Sequence, residues 1–274
     1  MWTVQTRSSE AASGGTQSIE RAVTVLRVLA TRERFGWGLT ELATACKLKK
    51  ATTHRILARL ERERLVHKRQ GGERYFLGAL VGELAISIPG FTAFAQQTQE
   101  FLTEVARRHA LVGVLSLRSG DHFVVAGRVA SSRLKAELNE VGARRPLVTT
   151  AGGAAILVGL PDEEQQRIVD ANTLQLTLRG RSDLADAKRM WERSRSLGYG
   201  TNFGDIAPGV NAVAVPVLNR HGEPFASITV AGPDVQLPEA RCHDLVPLLQ
   251  RDALGYAELA ARVHPDLYDC AAPA

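Results

Sequence analysis

The sequence contains no run of about 18 apolar residues, the length a helix needs to cross a bilayer, so no part of it is expected to span a membrane. Its first stretch, MWTVQTRSSEAASGGTQ, has no apolar core of the kind a secretory signal carries. It reads as a disordered tail over residues 1–16, and a cytoplasmic location follows as the default. Cysteine is scarce: Cys46, Cys242 and Cys270 are odd in number, far apart and without a CxxC pairing. Neither a disulfide framework nor a zinc site is expected from such spacing. Nucleotide signatures are missing as well. No GxGxxG opens a helix after a strand, and no Walker sequence occurs. His109, His122, His221 and His264 stand singly, with no carboxylates at metal spacing. Cys242, His243 and Asp244 are consecutive, so their side chains diverge around a helix and cannot form a working triad. Catalysis and cofactors are not expected, although an enzyme with a basic accessory domain stands as a third reading. No internal repeat of 20 to 50 residues is present.

What is present is unevenly distributed. The 274 residues are enough for two domains, each with its own core. Residues 18–78 hold 14 Lys and Arg against 6 Asp and Glu, an excess of eight positive charges. Residues 79–274 hold 19 against 22, an excess of three negative ones. The basicity therefore belongs to one segment, and that segment has a pattern. Leu39, Leu42, Ala43 and Cys46 fall on one helical face, with Thr40 placed as an N-cap. After a KLKK turn, a second helix buries Thr53, Ile56, Leu57 and Leu60. Residues 65–69 and 73–77 read as strands joined at Gln70, Gly71 and Gly72. An earlier helix over 18–33, capped by Ser18, completes a three-helix core. A helix pair followed by such a hairpin is a winged helix-turn-helix, which makes double-stranded DNA the first partner to consider.

Beyond the wing, residues 79–93 read as a helical connector interrupted by Pro89, and a second helix runs from about 93 to 109. Residues 111–117 and 122–129 are strands flanking a hairpin turn at Ser119, Gly120 and Asp121, and residues 133–141 can supply a third. Helices are expected over 149–160, 161–170, 183–197 and 237–262. Strands at 199–203, 211–219 and 225–232 lie between the last two, the final pair joined by Arg220, His221 and Gly222. Blocks of strands with helices before, between and after them favour an α+β fold with an antiparallel sheet.

At this point a resemblance becomes specific. SIERAVTVLRVLA, LTELATACKLKKATTHRILARLE, YFLG, VGARRPLVTTAGGAAIL, RSLGYGTNFGDIAPGVNAVAVPV and GEPFASITVAGP, in that order and spacing, resemble the IclR-type bacterial transcriptional regulators over roughly residues 17–262. The resemblance implies a winged helix-turn-helix domain (17–78), a linker helix (79–93) and a GAF-like effector-binding and oligomerisation domain (94–265), followed by a tail (266–274). It also implies a homodimer or dimer of dimers, a small organic effector and, more often than activation, repression.

Candidate site residues follow from the two lines together. The second helix of the DNA module should direct its N-terminal end into the major groove, with Lys49, Lys50, Thr52, His54 and Arg55 reaching bases or phosphates. Thr53 has two open readings, DNA contact and helix-face packing. Arg59 lies further along, toward phosphate or solvent. Lys68, Arg69 and Arg74 flank the tip of the wing. Lys47 stands in a turn where family members usually carry Gly, which calls for a non-Gly residue with φ above zero. In the second domain the resemblance carries an effector site onto Gly152, Gly153, Asp205, Ala212, Thr229 and Ala231. Amides after Gly152, at a helix start, suit an anionic group. The small run at 151–155 reads either as close packing or as such a cradle, and Asp205 either as a ligand contact or as a turn residue. Ala212, Ala231 and Ala154 replace a Cys, a Ser and a Lys frequent in the family. The loss of polar groups points to an effector more apolar than a two- or three-carbon keto acid, such as an aromatic acid. A C-terminal domain that is only a dimerisation scaffold remains the alternative.

Overall fold

The computed structural model describes residues 14–31, 35–69, 71–130, 140–178 and 184–263. The chain divides into two compact units, with the division between Ala85 and Ile86.

In the first unit, α1 (Gly14–Leu29) is followed by a short strand β1 (Trp37–Gly38), then α2 (Leu39–Ala45) and α3 (Lys50–Arg62). A hairpin of β2 (Val66–Lys68) and β3 (Arg74–Leu77) and the helix α4 (Ala79–Ile86) complete it. Val25 and Leu29 of α1, Leu42 of α2, and Leu57 and Leu60 of α3 meet in one core with Trp37, Val66 and Tyr75. The strands pair antiparallel in the order β1-β3-β2. Two expected caps are corrected. Ser18 lies inside α1, and Thr40 lies in the first turn of α2. The N-cap of α2 is Gly38, whose amide donates to Glu41 Oε2 at 3.1 Å. The turn between α2 and α3 places Lys47 at φ 55°, the left-handed conformation expected of that position. Cys46 is buried, and burial pushes its thiol up to about 11, so it is a packing residue and not a nucleophile. The helix α4 returns to the wing base through Leu80 N–H to Arg64 O (3.1 Å) and an Arg64–Glu83 ion pair, yet it buries none of its side chains.

The second unit begins with α5 (Phe91–His109) and the hairpin β4 (Val112–Ser119) and β5 (His122–Val129). A strand not expected from the sequence, β6 (Arg144–Pro146), pairs with β5; the strand expected at 133–141 falls almost entirely outside the described residues. A single 3-10 turn (Leu147–Thr149) leads into α6 (Ala151–Val158), then α7 (Asp162–Leu178) and α8 (Leu184–Leu197). Three antiparallel strands follow, β7 (Gly200–Phe203), β8 (Val210–Leu218) and β9 (Pro224–Pro233), and α9 (Glu239–Val263) ends the described chain. The sheet order is β6-β5-β4-β9-β8-β7. Its two faces bury separate cores. On one, Leu102 and Val105 of α5 and Leu245, Leu249 and Tyr256 of α9 pack on Val213, Val215, Ile228 and Val230. On the other, Ile156 and Leu157 of α6 join Ile168 of α7, Met190 of α8 and Val114 of β4. Helix α6 sits close because it is built of small residues: Ala151 and Ala155 pack with Ala212, Ala214 and Ala231. Among the described residues no single helix is long and apolar enough to cross a membrane.

Candidate functional site

The exposed surface of α3 is basic for a simple reason of period. Thr53, Leu57 and Leu60 take the buried stripe, which leaves Lys49, Lys50, His54, Arg55 and Arg59 outside and Thr52 half-buried. Lys49 is the N-cap residue, so the first turn of α3 carries positive charge at its solvent end. Two candidates move. Thr53 is fully buried and its hydroxyl donates to Lys49 O at 3.2 Å, so it packs the helix and does not face DNA. Arg59 pairs with Glu63 one turn on, along the same exposed helix.

The wing shows the same division. Lys68 Nζ lies 5.7 Å from the centroid of the Tyr75 ring, and the Arg69 guanidinium lies 5.1 Å from that of Phe76. Both remain exposed, with their stems laid along aromatic faces. His67 stacks on Phe76 as well, and the ring of Phe76 fills the space where a side chain on Gly36 would sit. Arg74, expected at the wing surface as a DNA contact, is turned back toward the domain. Its Nη1 donates to Gly36 O (3.2 Å), Phe35 O (3.5 Å) and Glu41 Oε2 (3.4 Å). Its main role is to tie the loop before β1 to the wing, and that corrects the expectation.

The second unit holds a half-open cleft of about 550 Å³, its mouth included, between the start of α6 and the sheet. Val114 and Ser116 of β4, Val210 and Ala212 of β8, and Thr229 and Ala231 of β9 form its base. Thr149, Thr150, Ala151 and Gly152 at the start of α6, Arg145 of β6, Asn202 of β7, and Ile206 and Ala207 of the loop after it complete the lining. Thr150 caps α6 by accepting from Gly153 N–H at 3.1 Å, and its carbonyl accepts from Ala154 N–H at 2.9 Å. Among the described residues nothing takes the amides of Ala151 and Gly152, which stand at the positive end of the helix. On its cleft side Gly152 faces hydroxyls that leave little room for a side chain. A methyl group there would lie 2.8 Å from Thr229 Oγ1, 3.1 Å from Ser227 Oγ and 3.3 Å from Ser116 Oγ. Thr229 Oγ1 and Ser227 Oγ are buried without a hydrogen-bond partner among the described residues.

Of the six positions expected here, Gly152, Ala212, Thr229 and Ala231 line the cleft. Gly153 does not. Its missing side chain lets α6 pass over the 3-10 turn, since a Cβ there would lie 2.0 Å from Leu147 O. Close packing is thus the reason for the second glycine of the pair. Ala154 is fully buried away from the cleft, so its departure from the family pattern says nothing about the ligand. Asp205 is also displaced from its expected role. Both its oxygens accept from Arg193 of α8, and Oδ2 accepts from Phe203 N–H at 3.0 Å. Burial alone would raise its pKa, but the Arg193 fork and the Phe203 amide outweigh it and hold the carboxyl below the usual range. Sequence reasoning missed other lining residues, among them Arg145, Ile206 and Ala207. Arg145 sits on a three-residue strand with no periodicity to betray it, and Ile206 and Ala207 lie in an irregular loop. Cys242, His243 and Asp244 do diverge: Cys242 is fully buried, and His243 Nδ1 meets the Tyr199 hydroxyl.

A basic winged helix-turn-helix and a separate unit with a half-open, partly polar cleft together define a ligand-responsive DNA-binding regulator. Residues 18–70 match the IclR helix-turn-helix domain, and residues 91–255 match the bacterial transcriptional regulator IclR C-terminal domain. The chain belongs to the IclR family of transcriptional regulators, and it is not an enzyme. It is 28% identical over 251 residues to the glycerol operon regulatory protein of Streptomyces griseus, covering 92% of this chain and 96% of that one. It is 26% identical over 243 residues to the transcriptional repressor IclR of Escherichia coli K12, covering 84% and 85%. Among solved structures, an IclR regulator from Silicibacter sp. TM1040 superposes with a TM-score of 0.70 at 22% identity, covering 90% of this chain and 96% of that one. An IclR homologue from Microbacterium hydrocarbonoxydans, complexed with 4-hydroxybenzoate, superposes with a TM-score of 0.62 at 18% identity, covering 88% and 98%. At these identities the structural likeness speaks to the fold.

Proposed function

We propose that this regulator is a repressor that acts as a homodimer or dimer of dimers on a pseudo-palindromic operator, and that an organic acid with a mainly apolar body relieves it. The observation that carries the effector reading is the polarity of the cleft. Its lining includes the Arg145 guanidinium and the amides of Ala151 and Gly152 at the start of α6, groups that suit a carboxylate. Val114, Ile206, Ala207, Val210, Ala212 and Ala231 offer only carbon to the rest of the molecule. Thr229 adds one buried hydroxyl that lacks a partner, and leaving such a group unpaired costs roughly 1–3 kcal/mol, which a ligand that satisfies it recovers. A domain that served dimerisation alone would gain nothing from such an arrangement. The 4-hydroxybenzoate complex of the Microbacterium hydrocarbonoxydans homologue is consistent with an aromatic acid. DNA contact is assigned to Lys49, Lys50, Thr52, His54 and Arg55, with Lys68 and Arg69 following the backbone from the wing.

The test is a gel-shift titration of the protein's own promoter fragment in the presence of 4-hydroxybenzoate, benzoate, pyruvate or glyoxylate. Release by the aromatic acids is the expected result. Release by pyruvate or glyoxylate alone would overturn the effector class, and a footprint covering one asymmetric half-site would overturn the dimer.

A further inference from the structure

We propose that residues 204–209 are a lid over the cleft and that Arg193 is the positioning residue that holds it shut; this rests on the effector reading above. The segment reads GDIAPG, and its two ends are glycines in the left-handed region, Gly204 at φ 75° and Gly209 at φ 76°. Neither end is hemmed in at the side-chain position. A Cβ on Gly209 would meet nothing within 4 Å, and one on Gly204 would meet only the Gly209 nitrogen, at 4.0 Å. Each end keeps one backbone bond to its surroundings, Gly204 N–H to Val210 O at 3.2 Å and Asp234 N–H to Gly209 O at 3.0 Å, and glycines at such points can absorb rotation with no side chain to displace. Between them, Ile206 and Ala207 line the cleft, while Pro208 and Gly209 are exposed.

The lid is fastened to helix α8 by an ion pair. Asp205, whose side chain is 7% exposed, receives both arms of the Arg193 guanidinium. Arg193 is itself anchored: its Nε donates to Thr201 Oγ1 at 3.1 Å, and its guanidinium lies 4.5 Å from the centroid of the Phe203 ring. Helix α8 and strand β7 therefore supply a rigid post, and Asp205 is the latch. A second fastening, to β7, runs from Ile206 N–H to Asn202 Oδ1, and Asn202 Nδ2 in turn donates to Val210 O, both at 3.0 Å. Asp205 thus acts on the ligand without touching it. A bidentate fork that must break before the lid lifts sets how long a bound molecule stays, which places the effect in the dissociation rate.

The experiment uses the full-length protein with 4-hydroxybenzoate as probe. Stopped-flow kinetics on Arg193→Gln, Asp205→Asn and the double variant should each show dissociation faster by about ten-fold or more, with association little changed. The double variant should be no faster than either single one, as expected for two residues that act as one pair. Arg193→Lys, which keeps the charge but loses the fork, should fall between wild type and Arg193→Gln. In the ligand-free protein, hydrogen exchange should accelerate in Arg193→Gln over residues 201–210, with operator affinity unchanged. Unchanged exchange in that segment, unchanged dissociation, or additive single effects would each overturn the lid. If wild type binds no 4-hydroxybenzoate, the effector reading fails by itself and exchange alone decides the lid. If Arg193→Gln does not fold, Asp205→Asn carries both measurements.

Discussion

A methyl group placed on Gly153 should loosen the whole start of α6, whereas the same methyl on Gly152 should spare the fold and silence the effector response. The two residues are neighbours in one helix, so propensity is the same for both, and each Gly→Ala change alone would favour the helix by about 1 kcal/mol. What differs is the surroundings. At Gly153 the Cβ would lie 2.0 Å from Leu147 O, 2.8 Å from its carbonyl carbon and 2.9 Å from its Cα. All three atoms are backbone, and restoring an ordinary contact of 3.4 Å needs a retreat of 1.4 Å (3.4 less 2.0). Overpacking of this kind costs roughly 3 kcal/mol, the upper end of its range. After the helix term is subtracted, about 2 kcal/mol remains, or roughly 4–8 °C in the unfolding midpoint for a domain of this size. At Gly152 the nearest atoms are the hydroxyls of Thr229, Ser227 and Ser116, which can rotate or shift. The midpoint of Gly152→Ala should stay within about 2 °C of wild type, since clash and propensity nearly cancel. The methyl then takes up room in the cleft beside these hydroxyls, and affinity for 4-hydroxybenzoate should fall by about ten-fold or more, which is about 1.4 kcal/mol. Differential scanning fluorimetry with and without the acid reads both quantities. A Gly153→Ala protein as stable as wild type, or a Gly152→Ala protein that loses more stability than it, would refute the reasoning.

Other outcomes can be stated more briefly. Arg55→Ala should weaken operator binding by roughly 1–3 kcal/mol in a gel-shift titration if Arg55 reads a base edge, while Thr53→Val should leave binding unaltered, because its hydroxyl serves Lys49 O. Arg74→Ala should lower the thermal midpoint more than it lowers the salt dependence of operator binding, since its donors go to Gly36 O, Phe35 O and Glu41. His109 is buried at the end of α5, and burial lowers its pKa despite the opposing pull of Asp252. The unfolded chain therefore binds this proton at higher pH than the folded one. Stability should fall as the pH drops below about 6.5, and His109→Gln should flatten that part of a denaturation series; a slope unaltered by the substitution would count against the assignment.

The sequence was most readable where chemistry repeats. The period of Leu57 and Leu60 against Lys50 and Arg55 announced α3, and the runs at 211–219 and 225–232, joined at Arg220, His221 and Gly222, announced the central strands. Composition also separated the two units, since almost all the excess of Lys and Arg lies before residue 79. Failures came where a side chain's partner is distant in the chain. Arg74 is basic and near a turn, so nothing local distinguishes it from Lys68, yet its partners lie 33 to 39 residues away. Asp205 is a similar case: its sequence allowed a ligand contact or a turn residue, nothing singled out Arg193, and only the fold brings the two together. Arg145 was invisible for a third reason, because a three-residue edge strand has no pattern to read. Family resemblance located the cleft to within one turn of α6, but it could not tell a glycine that opens a cavity from one that lets two backbones pass.

Strand β9 has a use beyond its own sheet. Ser227, Thr229 and Ala231 look toward α6, while Ala226, Ile228 and Val230, the residues in between, are sealed into the core with α5 and α9. Two tasks are therefore written on alternate letters of one segment, and they can be edited separately. A library at Ser116, Ala212, Thr229 and Ala231 would vary ligand chemistry while leaving untouched every apolar contact on the opposite side and every backbone hydrogen bond of the sheet. Such a scaffold lends itself to divergence by point substitution, and to conversion into sensors for acids the natural protein never meets.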